Sequence, residues 1–177
     1  MEHMRKKIRQ LTLLSILTAS CLALQLTPRP PNFEFTSLIT FITGVVFGGL
    51  AGITLGALVM FVNGFLSPYG FAGIILIFQM LGMAMIGFAG SLFKKLGREN
   101  IAKLYVEAAM VGAFLTLIYD VITNLGFAIL FSVPIIPTLV AGITFSFMHI
   151  AYNATLFGFL AAPITYAIKK FLAGPAS

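Results

Sequence analysis

Apolar positions run through this chain in long blocks, interrupted by short clusters of proline, glycine and charge. The first block, Leu11 to Leu26, follows a basic start and is closed by Pro28, Pro30 and Pro31. Proline lacks the amide donor and disfavours helix in the residue before it, so a helix over 8–26 must end there. The second block, Phe35 to Leu66, is 32 residues long. As one helix it would measure ~48 Å, against a hydrocarbon core of roughly 30 Å. It therefore reads as one steeply tilted helix or two short ones, and the favoured break lies near Gly48-Gly49. A further segment runs from Phe71 to Phe93, and residues 104–131 and 138–168 supply two more, joined by Ser132 to Pro137.

Charge patterning selects the two-helix option. Arg5, Lys6, Lys7 and Arg9 form one basic cluster, Lys94, Lys95, Arg98 and Lys103 a second, and Lys169 and Lys170 a third. Basic clusters flanking membrane helices face the cytoplasm. An even number of crossings must then separate consecutive clusters, which requires two short helices in the 35–66 block. The prediction is an all-α membrane protein, one domain of six transmembrane helices at 8–26, 35–48, 51–66, 71–93, 104–131 and 138–168. Both termini are cytoplasmic in this reading, in a multi-pass protein of the cell membrane. The outer loops are then Thr27 to Glu34, Ser67 to Gly70 and Ser132 to Pro137, all short and proline-bearing.

Composition agrees. The 177 residues are 59% hydrophobic and 9% charged, far below the roughly 25% charged content of soluble domains. The net charge of +6 belongs to membrane orientation and gives no ground for a nucleic-acid partner. One cysteine, Cys21, excludes an intramolecular disulfide or a thiolate cluster. Two histidines, one of them at position 3, cannot build a metal centre. There is no phosphate-binding GxxxxGK[ST] loop, so the chain does not hydrolyse ATP by itself, and no HExxH or GxSxG element. Thr18-Ala19-Ser20-Cys21 is a poor lipoprotein cleavage site, and the first apolar run reads as a retained helix rather than a signal peptide.

Small residues predict how the helices meet. Gly44, Gly48, Gly52 and Gly56 recur every four residues and predict close packing of the second and third helices. In lipid the apolar drive between helices is gone, and backbone contact through small residues takes over. Ala19 and Ala23 form an AxxxA pair on the first helix, able to bury against a neighbour within or outside the chain.

Polar residues at membrane depth are costly and mark function. Counted from the outer helix ends, Gln79 lies about 12 Å deep, Asp120 about 16 Å, Asn124 about 11 Å, His149 about 17 Å and Asn153 about 23 Å. Asp120 and Asn124 are spaced i,i+4, as are His149 and Asn153, so each pair shares a helix face. A polar pocket opening outward between the fourth, fifth and sixth helices is the economical inference. The blander alternatives are a structural Asp120–His149 ion pair, an Asn153 bonded to nearby backbone, and a Glu107 solvated or paired with Lys103. Asn63 reads as a helix terminus or pocket wall. Tyr69, Phe71, Phe145 and Tyr152 are packing or ligand-stacking positions in a chain with 18 Phe.

Together these features resemble the substrate-binding S components of energy-coupling factor (ECF) vitamin transporters. The resemblance covers nearly the whole chain. It rests on the size, the six helices and Ala19-Ser-Cys-Leu-Ala23 in the first of them. It rests also on PPNFEFTSLITFITGVVFGGLAGITLG from Pro30 to Gly56, and on FVNGFLSPYGFAGIILIFQMLGMAMIGFAG from Phe61 to Gly90. The PNF-type loop and Gln79-Met80-Leu81 are closest to members assigned to cobalamin, although the tryptophan-rich approach of that branch is absent. The resemblance implies a binding subunit for a vitamin or related micronutrient, without a cofactor, that docks on a separate transmembrane coupling subunit driven by two ATPase subunits. Ala19 and Ala23 become partner-docking residues. Asn32, Phe33, Asn63, Tyr69, Phe71, Gln79, Asp120, Asn124, Phe145 and His149 are assigned to substrate binding, and Arg29 and Glu34 to the lid. The competing readings are a self-sufficient secondary transporter or small channel, a membrane enzyme using Asp120 and His149 as an acid–base pair, and a purely structural subunit.

Overall fold

The computed structural model describes residues 2–68, 70–93 and 101–173. Tyr69 and the cluster of Lys94, Lys95 and Arg98 lie outside the described residues, as does the side chain of Lys103. Seven α-helices carry the fold, and no strand occurs among the described residues. They are α1 (Glu2–Leu26), α2 (Thr36–Phe47), α3 (Gly49–Leu66), α4 (Leu76–Leu92), α5 (Ile101–Leu130), α6 (Ile135–Leu156) and α7 (Ala162–Ala173). A 3₁₀ turn, Gly73–Ile75, leads into α4, and a π-helical turn, Phe157–Ala161, joins α6 to α7. The last three elements form one apolar rod, Ile135–Ala173. Five spans are long and apolar enough to cross a membrane, and Thr36–Phe47 is a shorter sixth.

The short helix is the centre of the bundle. At 12 residues α2 measures about 18 Å, well under the hydrocarbon thickness. It survives because protein surrounds it, and irregular backbone at membrane depth is tolerated only where protein or water covers it. Leu38, Phe41, Ile42 and Val45 are buried, together with Thr36, Ser37, Thr40 and Thr43. The chain leaves α2 at Gly48, whose φ of +98° and ψ of 168° suit only glycine.

The glycine stripe serves the α2–α3 packing its spacing predicts and a second contact besides. Gly44 and Gly52 face α4, and Gly56 stands between the Met83 carbonyl of α4 and the Thr40 side chain of α2. A Cβ on Gly44 would strike the Gly87 carbonyl oxygen, and one on Gly52 would lie 2.5 Å from the same atom. Gly56 approaches the Met83 carbonyl, while Gly48 is the break between helices and meets nothing within 4 Å. The reason is register: the turn at Gly48 moves the chain aside, so one face of α2 and one of α3 address α4 together.

Helix ends depart from the sequence reading at several points: α1 starts at Glu2 rather than 8, and α7 runs on to Ala173 rather than 168. α6 begins at Ile135 although Pro137 follows, because Pro137 falls in the first turn, where no amide donor is required. α4 begins later than Phe71, after the 3₁₀ turn. The N-terminal half of α6 packs against α5, and most of its residues from Ile135 to Phe147 are exposed. Only lower down, at His149 and Asn153, does α6 bury polar side chains in the bundle.

Candidate binding site

The first loop builds the site. Pro31 and Asn32 occupy the centre of a turn closed by the Phe33 amide donating to the Pro30 carbonyl at 3.2 Å. Proline presets the first central position, and Asn32 has a φ of +67°, which asparagine tolerates better than most residues. The Asn32 side chain then donates to the Phe145 carbonyl at 2.9 Å, tying the loop to α6. Phe33 stacks on Tyr152 of α6, with ring centroids 4.7 Å apart.

Arg29 folds back on α1. Its guanidinium donates to the carbonyls of Leu24 at 3.2 Å, Gln25 at 2.5 Å and Thr27 at 3.1 Å. These carbonyls lie at the C-terminal end of α1, where basic side chains satisfy orphan acceptors. The same guanidinium reaches Gln25 Oε1 at 2.6 Å, which also accepts from Thr36 Oγ1 at 2.7 Å. Gln25 thus links α1, the loop and α2.

Glu34 is the buried hinge of the arrangement. Its Oε2 accepts from the Ser37 amide at 2.8 Å, capping the first turn of α2, where negative charge is favoured. Its Oε1 accepts from Asn153 Nδ2 at 3.1 Å. Burial by itself would raise the carboxyl pKa, but His149 and the Ser37 amide outweigh it and hold the group down at about 2. His149 stands between two carboxylates: Nδ1 is 2.8 Å from Asp120 Oδ1 and Nε2 is 3.5 Å from Glu34 Oε1. The second contact is an ion-pair distance without hydrogen-bond geometry, so Nε2 remains without a hydrogen-bond partner.

Above this cluster lies a cavity of about 230 Å³. Its walls come from α1 (Gln25), the loop (Arg29 to Asn32 and Glu34), α3 (Met60, Asn63), α4 (Gln79, Met83), α5 (Tyr119) and α6 (His149). Gln79 Oε1 is buried there with no partner. An unmatched buried acceptor is costly, and at a binding site the ligand supplies the match.

Of the residues singled out from the sequence, the structure brings Arg29, Asn32, Glu34, Asn63, Gln79 and His149 to this cavity. Asp120 stands behind His149 rather than in the wall. Asn124 donates to the Asp120 carbonyl at 2.8 Å and lines a separate open groove with Thr138 and Phe145. Phe71 is 66% exposed and stacks on Phe65 at 5.3 Å, away from the cavity. Phe145 is 58% exposed and reaches the loop only through its carbonyl. The cavity therefore draws on the first loop, α1 and α3 as well as on α4, α5 and α6. Asn153 bonds Glu34 and not the backbone, a correction that follows from the loop carboxylate entering the bundle. Glu107 lies elsewhere, beside Leu104 and Phe93. Sequence reasoning missed Gln25, Met60, Met83 and Tyr119. Of these only Gln25 carried a signal, as a polar residue ending an otherwise apolar helix.

Comparison with known families decides the class. The model of the ECF transporter substrate-specific component matches residues 9–173. The chain belongs to that family. It is a multi-pass membrane protein and the substrate-specific subunit of a transporter, working with a membrane coupling subunit and ATPases rather than as an enzyme. No curated protein and no solved structure matches it. The match does not single out a cobalamin-type branch.

Proposed function

We propose that this S component captures a small, polar, vitamin-like nutrient in the cavity under the first loop and presents it to the coupling subunit. The observation that carries the reading is the buried, unpartnered Oε1 of Gln79, a residue that walls a compact cavity together with Glu34, Asn63 and His149. The volume, about 230 Å³, lies below the roughly 300–1,000 Å³ of drug-sized sites. A ligand of one or two rings fits that scale; the cobalamin assignment suggested by Gln79-Met80-Leu81 does not. The ligand donates a hydrogen bond to Gln79 Oε1 and presents a polar atom to His149 Nε2. Arg29 and Glu34 hold the loop across the cavity rather than acting as free lid charges.

Docking falls to α1. Ala19 and Ala23 are exposed on its outward face, while Cys21 and Gln25 turn inward and are buried. Small exposed residues on a lipid-facing helix suit close approach by a partner helix. The basic clusters at both ends of the chain support a cytoplasmic N-terminus, with the cavity toward the outside.

Calorimetry on the purified chain, without nucleotide, tests the reading. The panel is thiamine, biotin, riboflavin, pantothenate, folate, queuosine precursors, cobinamide and cobalamin. One of the small compounds should bind tightly, and Gln79→Ala should weaken it. Tight binding of cobalamin or cobinamide, or affinity untouched by Gln79→Ala, would overturn the assignment.

A further inference from the structure

At the opposite end of the molecule, α1 and α7 enclose a second feature. A groove of about 340 Å³ is walled by Arg5, Ile8, Arg9, Leu13 and Ile16 of α1 and by Phe171 of α7. Arg5, Arg9 and Ile16 recur at helical spacing, so they share one face of α1. The two arginines stand at the basic end and the apolar side chains run away from them into the span Lys7–Leu26. From Arg5 to Ile16 the helix rises about 16 Å, half the roughly 30 Å hydrocarbon core and hence one leaflet deep.

The head of the groove is held in place. The Arg9 guanidinium lies 4.3 Å from the centroid of the Phe171 ring, a cation–π distance. Stacking orients the planar guanidinium but leaves its N–H edge open to an acceptor. Glu34 and Asp120 pair with His149 far up the bundle, out of reach of Arg5 and Arg9. Lys7 and Lys170, both exposed, add positive charge at the same level.

We propose that this groove binds one anionic phospholipid, its phosphate against Arg5 and Arg9 and an acyl chain along Ile8, Leu13 and Ile16. The charge calls for an anion, the apolar track calls for a hydrocarbon tail, and the depth matches one leaflet. A protein carboxylate would meet the first demand alone. The lipid bridges α1 to α7 on the flank of the helix that carries Ala19 and Ala23, and so steadies the helix used for docking.

Native mass spectrometry of the full chain, incubated with equal phosphatidylglycerol and phosphatidylcholine, tests this. The wild type should retain one phosphatidylglycerol in preference to phosphatidylcholine by about tenfold, the scale expected for contacts from two arginines. R5Q/R9Q should abolish the preference, while K7Q, which removes charge from outside the groove, should keep it. R9K, which keeps the charge and loses the planar stack, should fall between. Arg5 and Lys7 are exposed and Arg9 is half-buried, and unchanged melting curves establish folding. Equal retention of the two lipids overturns the proposal, as does equal loss in K7Q and R5Q/R9Q, which would mean diffuse charge attraction. If R5Q/R9Q keeps phosphatidylglycerol and loses copurification with the coupling subunit, the groove is a protein contact and the lipid assignment is wrong.

Discussion

Asn153 Nδ2 donates to Glu34 Oε1 at 3.1 Å, joining two residues 119 positions apart in the chain. Asn153 is completely buried, and its partner comes from a loop between two membrane helices. Through this bond and the His149 contact, the loop that covers the cavity is fastened to the last two turns of α6. The loop is also fastened to α2 by the Ser37 amide and to α6 again by Asn32. Closure of the site and packing of the bundle are therefore the same set of interactions.

Removing the Glu34 charge should destabilise the protein. Glu34→Ala leaves Asn153 Nδ2 without its acceptor and removes one of the two carboxylates beside His149, and breaking one side of a buried ion pair costs about 3–5 kcal/mol. Thermal melting in detergent should show a large drop, with Asp120→Ala acting in the same direction. A Glu34→Ala variant that melts with the wild type would mean the cluster is not a structural anchor.

Acid should act through the same residue. Glu34 has its pKa lowered from 4.5 to about 2, so its ionised form is the one the fold prefers. Its stabilising contribution is fully present above pH 4.5 and is lost as the pH falls toward 2. Melting temperatures measured from pH 7 to pH 3 should decline at the acid end in the wild type and less in Glu34→Gln. Parallel profiles for the two proteins would remove Glu34 as the titrating group.

Gln79→Ala separates binding from folding. Nothing in the protein hydrogen-bonds Gln79 Oε1, so its loss should leave the melting temperature of the ligand-free protein nearly unchanged. Ligand affinity should fall by about tenfold or more, the equivalent of one buried hydrogen bond left unmade. Titration of wild type and variant with the nutrient identified by calorimetry measures this directly.

Gly52→Ala should disturb the α3–α4 contact. The new methyl would sit 2.5 Å from the Gly87 carbonyl oxygen, a backbone atom that cannot swing aside. Overpacking of this kind costs about 1–3 kcal/mol, readable as a lower melting temperature. Gly48→Ala should also destabilise, for a different reason: there is open space around it, but its φ of +98° strains any side chain.

Ala19→Leu should block assembly with the coupling subunit and spare nutrient binding. Ala19 is exposed on α1 and lies outside the cavity wall. Copurification of the two subunits reads the first effect and calorimetry the second. Loss of binding with assembly intact would reverse the roles given to α1 and the loop.

Much of this architecture was legible without coordinates. Lipid offers no partner to a free amide or carbonyl, so long apolar blocks had to become helices and the proline clusters had to become their ends. The depth counts singled out Asp120, His149 and Asn153, and i,i+4 spacing put the last two on one face. The family resemblance rested on those same blocks and on the stretch from Pro30 to Gly90.

Only the tertiary structure decided which residues meet. Glycine spacing announced the close contact of α2 with α3 but not the third helix that joins them, since a smooth face accepts any helix that reaches it; the turn at Gly48 brought α4 there. Glu34 and Arg29 read as lid charges because loops are ordinarily wet, yet Arg29 caps α1 and Glu34 enters the bundle. A buried carboxylate is tolerated only where other groups match its charge and hydrogen bonds, and here those groups come from α2 and α6. Periodicity and hydropathy are local properties of the chain, so they determined the helices. The cavity depends on contacts between residues more than a hundred positions apart, and no local pattern encodes them.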